Sequence, residues 1–323
     1  MASPGLSEIV TTTLRNRQPT IADNVLNNNA LLLKMKRGGN VRPFSGGRTM
    51  VEPLYWAENS TYTRYSGYDV LNINPSDVIS AAEYDLKQAA VAVSISGLEE
   101  YQNQGEEAVL DLLGSRIENA ETTMQNGISS DLYSDGTADG GKQIGGLQLI
   151  VADTNTNTVG GISASTYSFW RNVSFDATTD GGAAVSPANI GDYMMRVYQQ
   201  LKRGVDGPNL IIADNNYYRA YWESLTAIQR ITSDKDLASL GFTNIDFMGS
   251  PVVMDGGIGG ACPTNHMYFL NTKYMKYRPA TGRNMDAIAP DRFSINQDAM
   301  VKLIGWMGNM VASGRKFQGV LKD

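Results

Sequence analysis

GLEEYQNQGEEAVLDLLGSRIENAETTMQNGISSDLYSDG, residues 97–136, decides how the rest of the chain is read. Leu113, Ile117, Ala120, Met124, Ile128 and Leu132 recur at steps of three and four, which places one apolar stripe along a helix face. The spacing predicts a helix over 98–133, on the order of 50 Å long at 1.5 Å per residue. Gly105, Gly114 and Gly127 fall inside it and are expected to bend it or to admit a close neighbour. DLYSDGTADGGKQIGG, 131–146, ends it with a glycine-rich break.

Upstream of this helix the chain does not look like a domain. In TTTLRNRQPTIADNVLNNNALLLKMKRGG, 11–39, a short apolar cluster at Leu31, Leu32 and Leu33 predicts a short helix that docks on something else. TMVEPLYWAENSTYTRYSGYDVLNI, 49–73, alternates aromatic and polar residues as strands do, and turn formers at 58–60 predict an antiparallel hairpin closed there. Such a hairpin has little core of its own, and isolated two-stranded hairpins are marginal in water, so a partner surface is expected. Pro75 is read as the end of that unit. Alternation at Val91, Val93 and Ile95 then predicts a strand leading into the long helix.

Downstream, LQLIV (147–151) reads as a buried strand, and the polar stretch 154–184 as loop and surface. Ser186 and Pro187 supply an N-cap and a first-turn proline for a helix whose face is Ile190, Met194, Val197, Tyr198 and Leu201. NLIIAD (209–214) is a buried strand, Asp214 caps a helix through NNYYRAYWESL, and GSPVVMD (249–255) is a further strand. Alternating strands and helices predict a small α/β layer. The end is β-rich, and AMVKLIGWMGNMVASGRKFQGVL (299–321) reads as one extended strand, with Gly305, Gly308 and Gly314 as bends or bulges.

At 323 residues, 42% hydrophobic and 19% charged, the composition is that of a globular protein. No apolar run approaches the ~20 residues of a membrane helix. MASPGLSEIV lacks the basic start and apolar run of a secretory signal, so folding in a cytoplasm is expected. The net charge of −6 is unevenly spread: residues 1–50 hold seven bases against two acids, and residues 51–142 sixteen acids against four bases. A basic segment and an acidic body can attract a second copy of the chain, or the basic segment a polyanion.

Little here suits chemistry. His266 is the sole histidine and Cys262 the sole cysteine, which excludes a multi-histidine or multi-cysteine metal site and an intrachain disulfide. DGGKQIGG (139–146) and MDGGIGGA (254–261) lack the spacing of phosphate-binding loops and are read as turns. No catalytic residue, metal or cofactor is expected. The basic arm lacks any motif that reads bases and supports phosphate contact only.

The order of parts, with 97–136 as a spine helix and KLIGWMGNMVASGRKFQGVL (302–321) as a closing strand, resembles the major capsid proteins of tailed double-stranded-DNA bacteriophages, the Hong Kong ninety-seven type. The resemblance covers nearly the whole chain. It implies an α+β fold with an N-terminal arm (1–45), an extended β-hairpin loop (46–74), a peripheral domain carrying the spine helix (75–144 and 266–323) and an axial α/β domain (145–265). It further implies a structural subunit that self-assembles, as hexamers and pentamers, into an icosahedral head around double-stranded DNA bound without sequence choice. Separate scaffold, portal and decoration proteins would be its partners, host cytoplasm its place of assembly and the virion its destination. Contact residues expected on this reading are Trp56, Tyr62, Arg64 and Tyr65 in the extended loop and Arg15, Arg17, Lys36 and Arg37 in the arm, the latter facing a neighbour or DNA. Tyr217, Tyr218 and Trp222 are expected in axial contacts, with packing inside their own subunit the alternative. Some members join an extended-loop lysine to a neighbour's asparagine; no lysine stands between Lys36 and Lys87, so no such cross-link is expected. An encapsulin-like compartment is the nearest other reading, and a soluble enzyme or carbohydrate-binding protein a more distant one.

Overall fold

The computed structural model describes residues 29–98, 106–225, 244–256, 260–293 and 299–323. Helix α1 (Ala30–Arg37) is started by Asn29, whose side-chain oxygen accepts from the Leu31 and Leu32 amides at 3.0 and 3.3 Å. It is closed where the Asn40 amide donates to the Met35 carbonyl, a turn that needs Gly39 at φ +69°. Leu31, Leu32, Leu33 and Met35 are buried in the chain's own main core, so this helix docks on its own subunit.

Strand β1 (Thr49–Tyr55) pairs antiparallel with β2 (Ile79–Asp85), Thr49 opposite Asp85 and Tyr55 opposite Ile79. The hairpin is therefore wider than the sequence pattern implied. The strand expected over 60–73 is not formed, Pro75 does not end the unit, and residues 56–78 form the excursion between the two strands. Alternation explains the choice of β2: Ala82 and Tyr84 are buried while their neighbours face out, so this strand has a core face.

Strand β3 (Lys87–Ser96) follows, with Val93 and Ile95 buried, and leads into helix α2 (Glu106–Asp131). Ile117, Ala120, Met124 and Ile128 of α2, with Leu132 just beyond it, are all buried on one face, as their spacing predicts. The Leu113 side chain lies outside the described residues. Gly114 and Gly127 face open space within the subunit and admit no neighbour there.

LQLIV is not a strand. Leu147–Ile150 forms one helical turn with Leu147 and Ile150 buried, because so short a stretch, apolar but for Gln148, fits a buried turn as well as a buried strand. The stretch 154–184 is also more ordered than expected. It holds the short pair β4 (Thr158–Val159) and β5 (Ile162–Ser163), a 3-10 turn at Ser168–Trp170, and β6 (Val173–Asp176). Helix α3 (Ile190–Leu201) buries the expected face of Ile190, Met194, Val197, Tyr198 and Leu201. Its regular part begins after Ser186, whose carbonyl accepts from the Asn189 and Ile190 amides; the Ser186 side chain is not the cap.

Six strands form a mixed sheet in the order β6, β13 (Gly319–Lys322), β10 (His266–Leu270), β7 (Leu210–Ala213), β9 (Ser250–Met254) and β8 (Asn244–Phe247). Between β7 and β9 in sequence runs helix α4 (Asn215–Ser224), capped by Asp214, whose carboxylate accepts from the Tyr217 amide at 2.9 Å. Parity assigns the sheet's two faces. Leu210, Ile212, Val253, Tyr268, Leu270 and Val320 join the core beneath α1 and α2. Ile211, Ala213, Val252, Met267, Phe269 and Leu321 pack against α3 and α4. A sheet covered on both faces explains why Leu210–Ala213, the strand within NLIIAD, is apolar throughout. Since β10 and β13 are strands of this sheet, a boundary at 265/266 runs through it.

The second sheet is antiparallel, β11 (Met275–Phe293), β12 (Ala299–Ala312) and β3. The expected single closing strand is broken after β12 at Gly314, and β13 belongs to the other sheet. Register shifts in β11 lie opposite Gly305 and Gly308, where an added Cβ would stand 2.5 Å from the Ile288 side chain and 2.6 Å from the Arg278 carbonyl. The outer edge of β11 is covered by residues 41–44, bridged in parallel at Val41 with Tyr277 and Phe44 with Ala280.

Candidate assembly interface

The root of the β1–β2 hairpin has a core after all, supplied by the stretch read as surface loop. Met50, Leu54, Ala82 and Tyr84 pack with Val159, Ile162, Trp170 and Val311. Trp170 is fully buried and its indole nitrogen donates to the Val159 carbonyl at 3.0 Å. The Tyr84 hydroxyl donates to the Ala312 carbonyl at 2.9 Å, and burial pushes its pKa above the usual tyrosine value. Glu52, only 2% exposed, faces β11: it accepts from Arg278 Nη1 at 2.9 Å and from Lys276 Nζ. A buried carboxylate between two cations thus ties the hairpin to the body.

Beyond that root the hydrogen bonds among the described residues stay within the excursion. The Trp56 amide donates to the Val78 carbonyl, and Ser60 meets Ser76 with hydroxyl oxygens 3.0 Å apart. Asn59 accepts from the Thr61 amide, and Asp69 from the Ser66 amide. Apolar side chains crowd this surface: Tyr62 is 80% exposed, Tyr65 66%, Ile73 89%, and Tyr68 and Val70 are fully exposed. Arg64 is exposed among them. Trp56 is only partly open, its ring tilted against Phe169 at 6.2 Å. Trp56, Tyr167 and Phe169 line a groove of about 530 Å³ that runs along Ile79, Ser80 and Ala81 of β2.

The other expected contact residues divide. Lys36 and Arg37 are exposed in the last turn of α1, where positive charge complements the helix dipole. Arg15 and Arg17 lie outside the described residues. Tyr217 and Tyr218 are turned into the core between α4 and the sheet, burial raising both hydroxyl pKa values; their role in this subunit is packing. Of the three, only Trp222 reaches the surface.

His266 has both ring nitrogens engaged: Nδ1 lies 2.8 Å from the Thr264 carbonyl and Nε2 3.0 Å from Asp153 Oδ2. Among the described residues no group of His, Cys, Asp and Glu side chains is arranged to hold a metal ion, and no helix is long and apolar enough to cross a membrane.

Two features had no local signal in the sequence. Glu52 is one acid among many in 51–142. Arg315 is buried, donating through Nε to the Ile150 carbonyl at 2.7 Å and through Nη2 to Asn157 and Asn172 at 2.6 and 3.1 Å. Burial pushes its pKa down to about 10.

No family model matches the chain, and no curated protein does. Solved structures do. A chain of the cyanophage A-1(L) capsid asymmetric unit superposes with a TM-score of 0.66 at 19% identity, covering 88% of this chain and 90% of that one. A chain of Mycobacterium phage Bobi gives 0.53 at 10%, covering 88% of each chain. One from the capsid of an empty GTA particle gives 0.52 at 9%, covering 89% of this chain and 88% of that one. With a hairpin on a tied root, a long helix over an antiparallel sheet and a mixed sheet covered on both faces, matched over nearly nine-tenths of its length, the chain has the fold of a phage capsid subunit.

Proposed function

We propose that the chain is a major capsid protein: a structural subunit that assembles, through many copies of itself, into an icosahedral phage head enclosing double-stranded DNA. The observation that carries this reading is the excursion 56–78, with Tyr62, Tyr65, Tyr68, Val70 and Ile73 exposed on a firmly anchored root. So many large exposed side chains on one segment mark a protein contact. The root is built at the cost of burying a carboxylate, an arrangement suited to presenting the tip in one direction.

On this reading residues 1–45 act as an arm and the hairpin as the extended loop, its strands now reaching Asp85. The spine helix with the β3–β12–β11 sheet forms the peripheral part, and α3, α4 and the six-stranded sheet the axial part. Trp56, Tyr62, Arg64 and Tyr65 contact a neighbour in this scheme, with Lys36, Arg37 and Trp222. Each weak contact is repeated by closed symmetry, so the shell is stabilised by the sum of its interfaces. The role is structural and not enzymatic. Scaffold, portal and decoration proteins act with it during assembly in the host cytoplasm, and the finished product is the virion.

The test is sedimentation of the full-length protein and of Trp56→Ala/Tyr65→Ala. The reading predicts megadalton particles for the parent and subunits or small oligomers for the double variant, with unchanged secondary structure. Equal particle yields would refute the extended-loop contact. A denaturing gel of the particles should show monomer alone; a covalent ladder would contradict non-covalent interlocking.

A further inference from the structure

One corner of the six-stranded sheet gathers four cations, Lys202, Arg203, Lys273 and Lys316, around a single acid, Asp206. The turn from Arg203 to Asp206, closed by mutual amide–carbonyl bonds and by Gly204 at φ +61°, sets the Arg203 guanidinium 4.8 Å from the centre of the Phe317 ring. Phe317 stacks on Tyr274 with centroids 4.3 Å apart and planes 22° from parallel. Lys273 Nζ lies 5.5 Å from the Tyr274 ring, so two cations flank a pair of stacked rings. Lys316, next to Phe317, and Lys202, next to Arg203, are exposed.

Several cations elsewhere in the fold meet carboxylates: Lys276 and Arg278 at Glu52, Arg196 at Asp192, Lys322 at Asp176. Among the described residues none of Lys202, Arg203, Lys273 and Lys316 forms an ion pair. The acid of this corner, Asp206, is turned inward, accepting from Asn271 Nδ2 at 2.9 Å and from the Tyr274 hydroxyl at 2.5 Å. Burial opposes its ionisation, but those two hydrogen bonds, with the nearby charges of Lys273 and Arg203, hold its carboxyl below the usual carboxylate pKa. Aromatic faces hold Arg203 and Lys273 in place, and four cations against one carboxylate leave the corner net positive.

We propose that Lys202, Arg203, Lys273 and Lys316 form a binding surface for the phosphodiester backbone of double-stranded DNA, without sequence choice. The inference rests on the reading of the chain as a shell around DNA, and it assigns this corner to the shell's interior. A protein partner is disfavoured by composition: interface cores need apolar anchors, and within the turns that carry the four cations, 202–206, 273–274 and 316–317, Val205 is the one large apolar side chain that is exposed. Phosphates need only cations held in register.

The experiment is fluorescence anisotropy of the full-length protein with a labelled duplex of about 30 base pairs, from 20 to 200 mM salt. Both Lys273 and Lys316 are exposed, so Lys273→Ala/Lys316→Ala keeps the fold, checked by an unchanged melting temperature. Each lost phosphate contact removes about 0.9 from the slope of log affinity against log salt, so the double variant should be shallower by about two. Arg203→Ala should lower it by about one more, and a second duplex of unrelated sequence should behave identically. Arg42→Ala/Arg48→Ala, in the other basic stretch, should bind as the parent does. The same affinity and slope in parent and Lys273→Ala/Lys316→Ala would overturn the inference, as would a loss of self-association at unchanged DNA binding, which would assign the corner to an acidic face of a second copy. Electron microscopy of the same preparations separates the two readings. Shells with unaltered DNA binding in the variant sink this inference alone, whereas a shallower slope without shells in the parent supports the surface and sinks the assembly reading.

Discussion

Glu52 on β1 and Arg278 on β11 are joined by a 2.9 Å charge-assisted hydrogen bond with the carboxylate buried, and Lys276 holds the other oxygen. The hairpin's strands thus contact the body through a charge cluster as well as through Met50 and Leu54. Removing the carboxylate leaves two partly buried cations unpaired. Glu52→Gln should destabilise the subunit by about 2–4 kcal/mol. Urea unfolding reads this as a lower midpoint at unchanged slope; a midpoint equal to the parent's would mean the cluster contributes nothing net.

Arg315 supports the same region from below. Its guanidinium joins the Ile150 carbonyl, Asn157 and Asn172, three segments distant in sequence. Arg315→Met fills similar volume but orphans these buried acceptors, and should cost about 3 kcal/mol or more. A loss under 1 kcal/mol in the same unfolding assay would show that the acceptors find other partners.

The His266–Asp153 pair predicts a pH dependence. Burial lowers the His266 pKa, but the bond to Asp153 and the Thr264 carbonyl outweigh it, and the net direction is upward from 6.5. Both ring nitrogens face acceptors, so the imidazolium is the form the site satisfies. A folded-state pKa above the unfolded value means the contribution is full below pH 6.5 and is lost as pH rises through the folded-state pKa. The stability difference between the parent and His266→Gln should therefore shrink as pH is raised from 6 to 8. A difference that grows over that range would reverse the assignment.

Met248 occupies the first position of the two-residue turn between β8 and β9 at φ +51°, with Gly249 at +79°, and its side chain is largely exposed. A methionine in the left-handed region costs about 1 kcal/mol that glycine does not. Met248→Gly removes that cost but gives part of it back as backbone entropy of the unfolded chain, so stability should rise by roughly 0.5 kcal/mol, and a lower melting temperature would show that the side chain packs within the chain after all.

How much of this was legible depended on whether a residue's partners lie nearby in sequence. The α2 stripe and the α3 face were readable because helical period and burial coincide. Leu210–Ala213 was readable because a strand covered on both faces is apolar throughout. LQLIV, by contrast, carries no period, and packing made it a turn of helix. The second hairpin strand was missed because ISAAEYD marks its core face with a small alanine and one tyrosine, while the louder aromatic pattern at 60–73 belongs to exposed chain. Trp170 was hidden in a polar stretch. In the candidate interface the loop aromatics were legible as residues without a core, but Tyr217 and Tyr218 were not separable from Trp222, since a helix rich in aromatics shows both faces alike until its sheet is placed. Glu52 and Arg315 owe their roles to partners more than 140 residues away in sequence.

Closure of this fold into a shell would run through the excursion between β1 and β2. Cryo-electron microscopy of the purified full-length protein tests it most directly. The account predicts closed icosahedral particles in which residues 56–78 lie against a neighbouring subunit, with Tyr62 and Tyr65 buried. Subunits that stay monomeric, or shells in which those tyrosines remain open to solvent, would contradict it.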